Sequence, residues 1–551
     1  MKKLIFLLLV LPFSFGAAHP TKDVLIYHEI QVDDSGGILP WYSPEDLGKS
    51  YDHTINLVWS FWDNMRTDIN GLPYYMNHLV WRPDFNDPRG LGGDQIQMAL
   101  SSWQLYYAYS GNERVKQNMK FMLEYYLTHG LSSKESKWPN LPYPYNTMIY
   151  SGIYDGDLIS GVGYLQTDKA GSLGLELVHM YKMTISDGYH WSTSLRYLDA
   201  AKNIAKTLIA HLRKGDDKHS PLPYRVNAMT GKVAEIRDYD GRVIGASEYT
   251  SNWVSTMMML TELAEIDKEN SATYLRAYRV FLNWLKNYPL KNNNWGPFFE
   301  DVGGWSNTQI NAITFARFMM LNQNEFPNWK TEVPKIFDWA YQTLGNNDWQ
   351  KYGVTVVNEQ TVCLKPGESH VARQGSTEIM YSQLSGDTSR LKNAIRELSW
   401  ATYTVDNDGK NKFPQDENWL TDGYGDYVRH YLRAMAAMPE LAPADSDHIL
   451  SSTSIVQQAD YQGSINKFLD PYVHVNDINK VRIYYRTYDP DGVEVIRMRS
   501  KPKTVRVGDA IAAETINLST VDMGYNWAPM KSGGVLTVKR KGNGLVIVSD
   551  E

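Results

Sequence analysis

The feature that most limits the fold of this chain is a repeated pattern of two helices joined by a short turn. In the clearest copy, residues 95–110 and 113–128 carry apolar side chains at helical spacing, with Gly111-Asn112 between them. A connection this short predicts an antiparallel αα-hairpin. Four further pairs follow along the chain: 171–183 with 194–212, 250–265 with 272–288, 308–321 with 331–344, and 376–384 with 389–404.

A sixth hairpin joins the two ends of this region. Residues 424–438 are predicted to pack against residues 51–64, which closes the six hairpins into a ring. The first helix of a pair is rich in small and apolar residues, as in 171–183, whereas the second is amphipathic, as in 194–212. First helices should therefore form an inner barrel and second helices an outer shell. The sequence between units is not repetitive, which excludes a solenoid of fixed period.

The sequence changes character after the helical region. A stretch rich in Pro, Ala and Asp begins at residue 441, and residues 441–479 are predicted to be a linker. Residues 480–551 contain short alternating segments separated by turn residues, which predicts a smaller β-sandwich-like domain. Inside the helical region, a β-hairpin is predicted at 223–243.

The N-terminus has the pattern of a secretory signal peptide. Lys2 and Lys3 precede an apolar run at 4–15, and small residues lead to a plausible cleavage site after Ala18. The run is too short to span a bilayer. A lipoprotein would need a cysteine just after the cut, whereas the single cysteine is Cys363. We therefore expect removal of residues 1–18 and a soluble, periplasmic mature protein without membrane insertion.

Composition narrows the possible partners. The net charge is -7 and the pI about 6.0, which gives no basic footprint for nucleic acid. The chain has 17 Trp and 37 Tyr. So many aromatic residues fit either a large helical core or a groove in which flat rings stack on sugars. The single cysteine forms no internal disulfide, and Cys363 is expected to be a small buried apolar residue.

Three segments carry a resemblance to a known architecture. They are RGLGGDQIQMALSSWQLYYAYSGNERV at 89–115, AGSLGLELVHMYKMT at 170–184 and WGPFFEDVGGWSNTQINAITFARFMML at 295–321. They resemble six-hairpin glycosidase-like enzymes, a group that includes unsaturated glucuronyl hydrolases and shares its fold with several polysaccharide lyases. The resemblance implies a mainly α (α/α)6 toroid, assigned to residues 19–440. It also implies an oligo- or polysaccharide substrate, as in polysaccharide degradation by Bacteroidota.

The loops that lead into the inner helices carry the candidate catalytic acids. A glycoside hydrolase needs one carboxyl group to protonate the leaving oxygen and another to activate water or attack the anomeric carbon. The predicted pair is Glu248, just before an inner helix, with Asp301 or Asp422. Trp295 and Trp305 flank Asp301 and are predicted to hold a sugar, and to raise the pKa of the carboxyl group by excluding water.

A simpler role competes with catalysis for several of these acids. Asp94, Asp168 and Asp422 each lie close to the start of a predicted helix. A carboxylate there commonly caps the helix or interacts with its dipole.

A polysaccharide lyase would use other residues. β-Elimination from a uronate needs a base, often Tyr or His, and a cation that neutralises the carboxylate. His370 and Arg373 lie close together before an inner helix, and Arg373 suits a carboxylate in either chemistry. Tyr424 and Tyr427 follow in the last loop. Trp419, in the same loop as Tyr424, is a further predicted substrate contact. The simpler interpretation of His370 is a solvated loop histidine.

Three hypotheses remain open from the sequence. The first is a glycoside hydrolase for uronic-acid-containing saccharides, the second a polysaccharide lyase, and the third a non-catalytic glycan-binding protein. No cofactor is expected, because Walker, dinucleotide, HExxH and GxSxG motifs are missing from the sequence. Asp406-Asn-Asp-Gly409 resembles the start of a calcium loop, but its glycine comes two positions too early, so no metal site is expected.

Overall fold

A computed structural model describes most of the chain. The described residues are 17–68, 70–76, 92–148, 151–187, 191–238, 240–299, 304–413, 416–420, 424–462 and 478–551.

Twelve long helices in these ranges form two concentric rings. The inner helices are α2 (Gly92–Ser110), α4 (Thr167–Thr184), α6 (Val254–Ile266), α9 (Gln309–Leu321), α11 (Glu368–Ser385) and α13 (Tyr424–Ala437). The outer helices are α1 (Leu47–Asp63), α3 (Glu113–His129), α5 (Trp191–Ala210), α7 (Ser271–Asn287), α10 (Trp329–Leu344) and α12 (Leu391–Thr402), and a short α8 (Pro289–Asn292) follows α7. Each inner helix packs against the next, α13 packs against both α2 and α1, and the ring is closed. The predicted (α/α)6 toroid is confirmed.

Local sequence explains the hairpins. In the turn between α2 and α3, Gly111 has a φ of 65°, and the Asn112 side chain accepts a hydrogen bond from the backbone N–H of Arg114 at 3.0 Å. The small residues of α4 serve close packing, because a Cβ on Gly171 would overlap the side chain of Thr256 on α6. Small residues in the first helix of a pair therefore indicate inner-ring packing.

Two buried carboxylates lie between inner and outer helices. Glu378 on α11 and Glu397 on α12 are fully buried, and Tyr341 on α10 donates a hydrogen bond to Glu397 Oε1 at 2.9 Å. Arg390 approaches Glu378 at 3.9 Å. Burial raises the pKa of Glu378 to about 7, and burial together with Glu378 raises the pKa of Glu397 well above its ordinary value. Folding therefore favours the protonated forms.

We expect Glu397→Gln to stabilise the protein at alkaline pH. A folded-state pKa above the unfolded value means that stability is complete below about pH 4.5 and falls as the pH rises toward the folded pKa. The amide removes this penalty and still accepts the Tyr341 hydrogen bond. The free energy of unfolding should rise by roughly 1–3 kcal/mol at pH 8 and by less at pH 5, measured by urea unfolding. The exposed Glu269→Gln is the control, and an equal gain at both pH values would contradict the prediction.

Short strands lie in the N-terminal segment and in the loops between the helices of the ring. An N-terminal sheet packs beside α12, where His28 Nε2 lies 2.8 Å from the Val405 carbonyl oxygen, although helical periodicity predicted no strand there. Strands β8 and β9 pair as a hairpin around Asp240-Gly241, as predicted. The strands of this region are β1 (His19–Leu25), β2 (His28–Val32), β3 (Ile38–Leu39), β4 (Gly156–Asp157), β5 (Gly161–Val162), β6 (Tyr164–Gln166), β7 (Arg225–Asn227), β8 (Glu235–Arg237), β9 (Val243–Ala246), β10 (Gly345–Asn346), β11 (Val356–Val357), β12 (Lys412–Phe413) and β13 (Asp416–Leu420).

The C-terminal domain is a sandwich of two antiparallel sheets. One has the order β14-β17-β21-β20 and the other β15-β16-β22-β18-β19. Its core contains Ile483, Tyr485, Ile496, Leu536 and Val546. The strands are β14 (His448–Ser452), β15 (Val456–Tyr461), β16 (Val481–Thr487), β17 (Gly492–Met498), β18 (Thr504–Val507), β19 (Ala510–Ile511), β20 (Gly524–Pro529), β21 (Gly534–Arg540) and β22 (Leu545–Ser549).

The predicted linker at 441–479 is therefore wrong in part, since β14 and β15 lie within it and pair with β17 and β16. Polar residues on β15 interrupt the apolar alternation that would predict a strand, and these residues contact the helical ring. Gln457 Nε2 donates to the Lys182 carbonyl at the end of α4, and Lys116 Nζ donates to the Gln457 carbonyl. The His448 ring stacks on Tyr109 at the end of α2. The sandwich thus contacts the C-terminal ends of inner helices.

Two smaller findings complete the fold. No helix in the described part of the chain is long and apolar enough to cross a membrane. Cys363 is partly exposed in the loop before α11, so the expectation of a buried apolar cysteine is wrong.

Candidate active site at the mouth of the ring

The N-terminal ends of the inner helices and the loops before them gather polar side chains at one end of the ring. This end, called the mouth below, lies opposite the end that contacts the β-sandwich. The mouth residues come from the first two turns of α4, α11 and α13 and from the loops before α6 and α9. In the ring order α2, α4, α6, α9, α11, α13, helices α4 and α11 stand opposite each other.

His370 occupies the first turn of α11 and is only 4% exposed. Neither ring nitrogen has a hydrogen-bond partner among the described residues. Glu359 Oε1 lies 3.8 Å from Nδ1, and the Phe299 ring lies at a centroid distance of 5.6 Å. Burial, aided by the Arg373 charge, lowers the pKa of His370 to about 3. The imidazole is therefore uncharged at physiological pH, and because it is buried the interpretation as a solvated loop histidine is wrong.

Arg373 lies one turn further along α11 and takes part in a buried ion cluster. Its guanidinium and that of Arg429 both contact the carboxylate of Asp426 on α13. Arg373 also donates to Thr314 Oγ1 on α9 at 3.2 Å. Burial alone would raise the pKa of Asp426, but Arg373 and Arg429 outweigh it and hold this pKa well below its ordinary value. His430 Nε2 lies 3.4 Å from the same carboxylate. The cluster carries more positive than negative charge.

Across the mouth, Asp168 lies fully buried in the first turn of α4. Its Oδ2 accepts a hydrogen bond from Asn252 Nδ2 at 2.8 Å and lies 3.5 Å from Lys169 Nζ, while Oδ1 has no hydrogen-bond partner among the described residues. The residue at the N-cap position is Gln166, so the prediction that Asp168 caps the helix is wrong. Its position in the first turn still suits the helix dipole.

Two phenylalanines form a wall between these two sides. The Lys169 ammonium lies 3.1 Å from the centroid of the Phe298 ring and donates to the Phe298 carbonyl at 2.8 Å. Phe298 packs edge-on against Phe299, which in turn lies beside His370. Tyr224 also donates to the Phe298 carbonyl, at 2.7 Å. These contacts hold Phe298 and Phe299 in place at the mouth. The predicted acid region at 300–303 follows them in the sequence and lies outside the described residues.

The predicted hydrolase residues are not assembled in the described part of the chain. Glu248 is 21% exposed and forms an ion pair with Arg213, which follows outer helix α5, so it lies toward the outer shell. Asp301 and Asp422 lie outside the described residues, and so do the side chains of Trp419 and Tyr424, whose backbones belong to β13 and α13.

The aromatic residues predicted to lie at the site differ in their exposure. Trp295 is fully buried and packs against Phe315 and Trp339, so the prediction that it contacts a sugar is wrong in this conformation. Trp305 is 48% exposed at the rim, with its ring 5.0 Å from that of Tyr249, and remains free to stack on a ligand. Tyr427 is buried and donates to the Ala401 carbonyl at 2.7 Å, which removes it from the mouth.

Several mouth residues were not predicted as site residues from the sequence. Asn252 carries no motif, and Phe298 and Phe299 lie in the segment 295–321 that carries the resemblance but were not assigned a role. Asp426, Arg429 and His430, however, have helical i, i+3, i+4 spacing in the segment YGDYVRHY at 424–431. Three charged or titratable groups on one face of an inner helix were a signal that could have found the cluster.

Comparison with known proteins supports the fold. No model of a protein family matches the chain, and no curated protein matches it in sequence. Among solved structures, a sugar epimerase from a ruminal bacterium superposes with a TM-score of 0.50 at 14% identity, over 71% of this chain and 98% of that one. A cellobiose 2-epimerase from Spirochaeta thermophila DSM 6192 gives 0.50 at 12% identity, over 71% and 97%. Both are (α/α)6 toroid enzymes of carbohydrate processing, so the predicted architectural resemblance is confirmed.

Proposed function

We propose that this chain is an exported carbohydrate-active enzyme that cleaves uronate-containing saccharides by β-elimination, with His370 as its acid–base group. The observation that carries the proposal is a neutral histidine that has no hydrogen-bond partner in the described part of the chain, beside a buried cationic cluster at the mouth of the ring. Export is supported by the basic and apolar N-terminal pattern around Lys2, Lys3 and residues 4–15.

The chemistry follows from these two features. His370 takes the C5 proton of the uronate, the C5–H electron pair forms the C4–C5 double bond, and the C4–O bond to the leaving sugar breaks. The leaving oxygen is protonated by the imidazolium or by water. Negative charge develops on the uronate carboxylate as the proton leaves, and the net positive cluster of Arg373, Arg429 and Asp426 favours that charge electrostatically.

Hydrolysis is the second candidate, and Asp168 favours it. One oxygen of this buried carboxylate has no hydrogen-bond partner in the ranges that the structure describes, and the residue stands across the mouth from His370. A hydrolase would combine it, or the predicted Glu248, with Asp301 or Asp422 as acid and base. Glu248 would first have to leave its ion pair with Arg213.

We expect the mature protein to raise the near-ultraviolet absorbance of an acidic polysaccharide. Each elimination creates an unsaturated uronate that absorbs there, whereas hydrolysis adds water and creates none. Purified protein would be incubated with a panel of acidic plant, algal and host glycans, and absorbance and released sugars would be measured together. Saturated uronic acid released without absorbance would contradict elimination and support hydrolysis. Solvent deuterium entering the sugar with neither signal would assign the same proton abstraction to epimerisation.

Two substitutions separate the candidates on any substrate found. Under hydrolysis, Glu248→Gln or Asp301→Asn should abolish release of saturated sugar by removing the acid or base. Under elimination, activity should instead be lost when His370 is substituted. Full activity in both carboxylate variants would remove the predicted hydrolase pair.

A further inference from the structure

Below the mouth, the interior of the ring contains a second group of charged side chains that the proposed reaction does not use. Arg317 on α9 and Arg433 on α13 lie roughly two turns into their helices, about one turn deeper than Arg373 and Arg429. Arg317 Nη1 lies 3.1 Å from Met380 Sδ on α11, the helix between α9 and α13. The charge of Arg317 also acts on Arg433. Because α11 separates α9 from α13 in the ring, side chains of these two helices approach each other through the lumen.

The described side chains in this part of the lumen carry more positive than negative charge. Arg317 and Arg433 form no ion pair with a carboxylate of the described residues, and the one carboxylate nearby, Asp426, already binds Arg373 and Arg429. Acids on the opposite wall are also paired, since Glu176 contacts His179 at 3.3 Å and Glu262 contacts Lys182.

Burial and neighbouring cations act in the same direction on both arginines. Burial and the Arg429 charge lower the pKa of Arg317 to about 10, and burial and Arg317 lower the pKa of Arg433 well below its ordinary value. A charge that is removed from water without a partner is destabilising, and a bound anion would relieve that penalty. Both residues nevertheless stay partly exposed, so that part of each is accessible to a small ligand. A planar guanidinium can donate two parallel hydrogen bonds to an oxyanion, so two arginines free of carboxylate partners among the described residues suit such a ligand.

We propose that the lumen holds a binding site for a compact oxyanion, formed by Arg317 and Arg433 between α9, α11 and α13. The ligand is either a free inorganic oxyanion, such as phosphate or sulfate, or the carboxylate of a saccharide that enters through the mouth. The inorganic ion and the sugar carboxylate would both bind to the same arginines. A competition experiment distinguishes them, because only in the second case should the sugar displace the ion. The site does not depend on the proposed reaction, because its charges lie below the groups that carry it.

The test is isothermal titration calorimetry of the full mature protein with sodium phosphate at neutral pH and constant ionic strength. We expect saturable binding of one phosphate per chain. Arg317→Met with Arg433→Met should weaken it by roughly tenfold or more, because hydrogen bonds to charged groups are lost. Arg242→Met with Arg276→Met removes two exposed arginines and is the matched control. Methionine keeps much of the apolar stem, and thermal unfolding checks that each variant is folded.

The same titration decides the source of the oxyanion. Glucuronate that displaces phosphate assigns the site to the sugar carboxylate, and phosphate binding unaffected by glucuronate assigns it to a free ion. The single variant Arg433→Lys keeps a positive charge and should retain part of the affinity. No saturable heat with the wild-type protein, or equal binding in the lumen variant and the control, would overturn the proposal.

Discussion

Replacing His370 with asparagine should lower kcat by roughly 100- to 10 000-fold, the range expected for a single acid–base group. The imidazole is buried at the mouth and has no hydrogen-bond partner among the described residues, so its loss breaks no bond that holds the fold. The rate would be measured by absorbance on the substrate identified from the panel, and the fold by thermal unfolding. His219→Asn is the matched control, because this histidine is 45% exposed and interacts with Asp216 on a surface loop.

The pH profile gives a second measure of the same group. A histidine of ordinary pKa would lose its base form near pH 6.5. Because burial and Arg373 lower the pKa of His370 to about 3, the base form persists in mildly acidic solution. We expect kcat/KM to stay level as the pH falls through 6.5 and to decline only below about pH 4. An unchanged kcat in His370→Asn, or a wild-type acidic limb centred near pH 6.5, would refute the assigned role.

Asp426→Asn should cost about 3–5 kcal/mol of unfolding free energy, as expected when one partner of a buried ion pair is removed. The carboxylate is 1% exposed and binds both Arg373 and Arg429. Without it, the two guanidiniums remain buried with no carboxylate partner from the described residues, and the asparagine oxygen can accept hydrogen bonds but cannot neutralise charge. The measurement is urea unfolding of the wild-type protein and the variant at neutral pH.

The loss should depend on pH with a defined sign. The folded pKa of Asp426 lies well below its ordinary value, so its contribution is present above the unfolded pKa near 3.9 and is lost as the pH falls toward the folded value. The difference between wild type and variant should therefore shrink below about pH 4.

A surface ion pair provides the control for Asp426. Asp338 on α10 is 51% exposed and pairs with Arg390, so Asp338→Asn should cost no more than about 1 kcal/mol. A loss for Asp426→Asn as small as that of the control would show that the buried cluster does not stabilise the ring.

The sequence alone was sufficient for the architecture. Helical spacing and the Gly111-Asn112 turn are local signals, and each predicted hairpin is present among the described helices. The small residues of α4 indicated the inner ring because Gly171 permits close approach to α6. The start of the β-sandwich was harder to predict from sequence. Gln457 and the other polar residues of β15 contact the ring, and they interrupt the apolar alternation typical of a strand.

The site required tertiary structure. The sequence did not distinguish the acids that precede the inner helices from one another. They differ in the partners that bind them, and these partners are far away along the chain. Arg213 binds Glu248 from 35 residues away, Asn252 binds Asp168 from 84, and Asp426 binds Arg373 from 53. Helix formation depends on neighbours within a turn or two, so the sequence determined the ring. The charge state of a side chain depends on its burial and on the charges that the fold brings beside it, so only the tertiary structure distinguished His370 and the arginine cluster from the other polar residues.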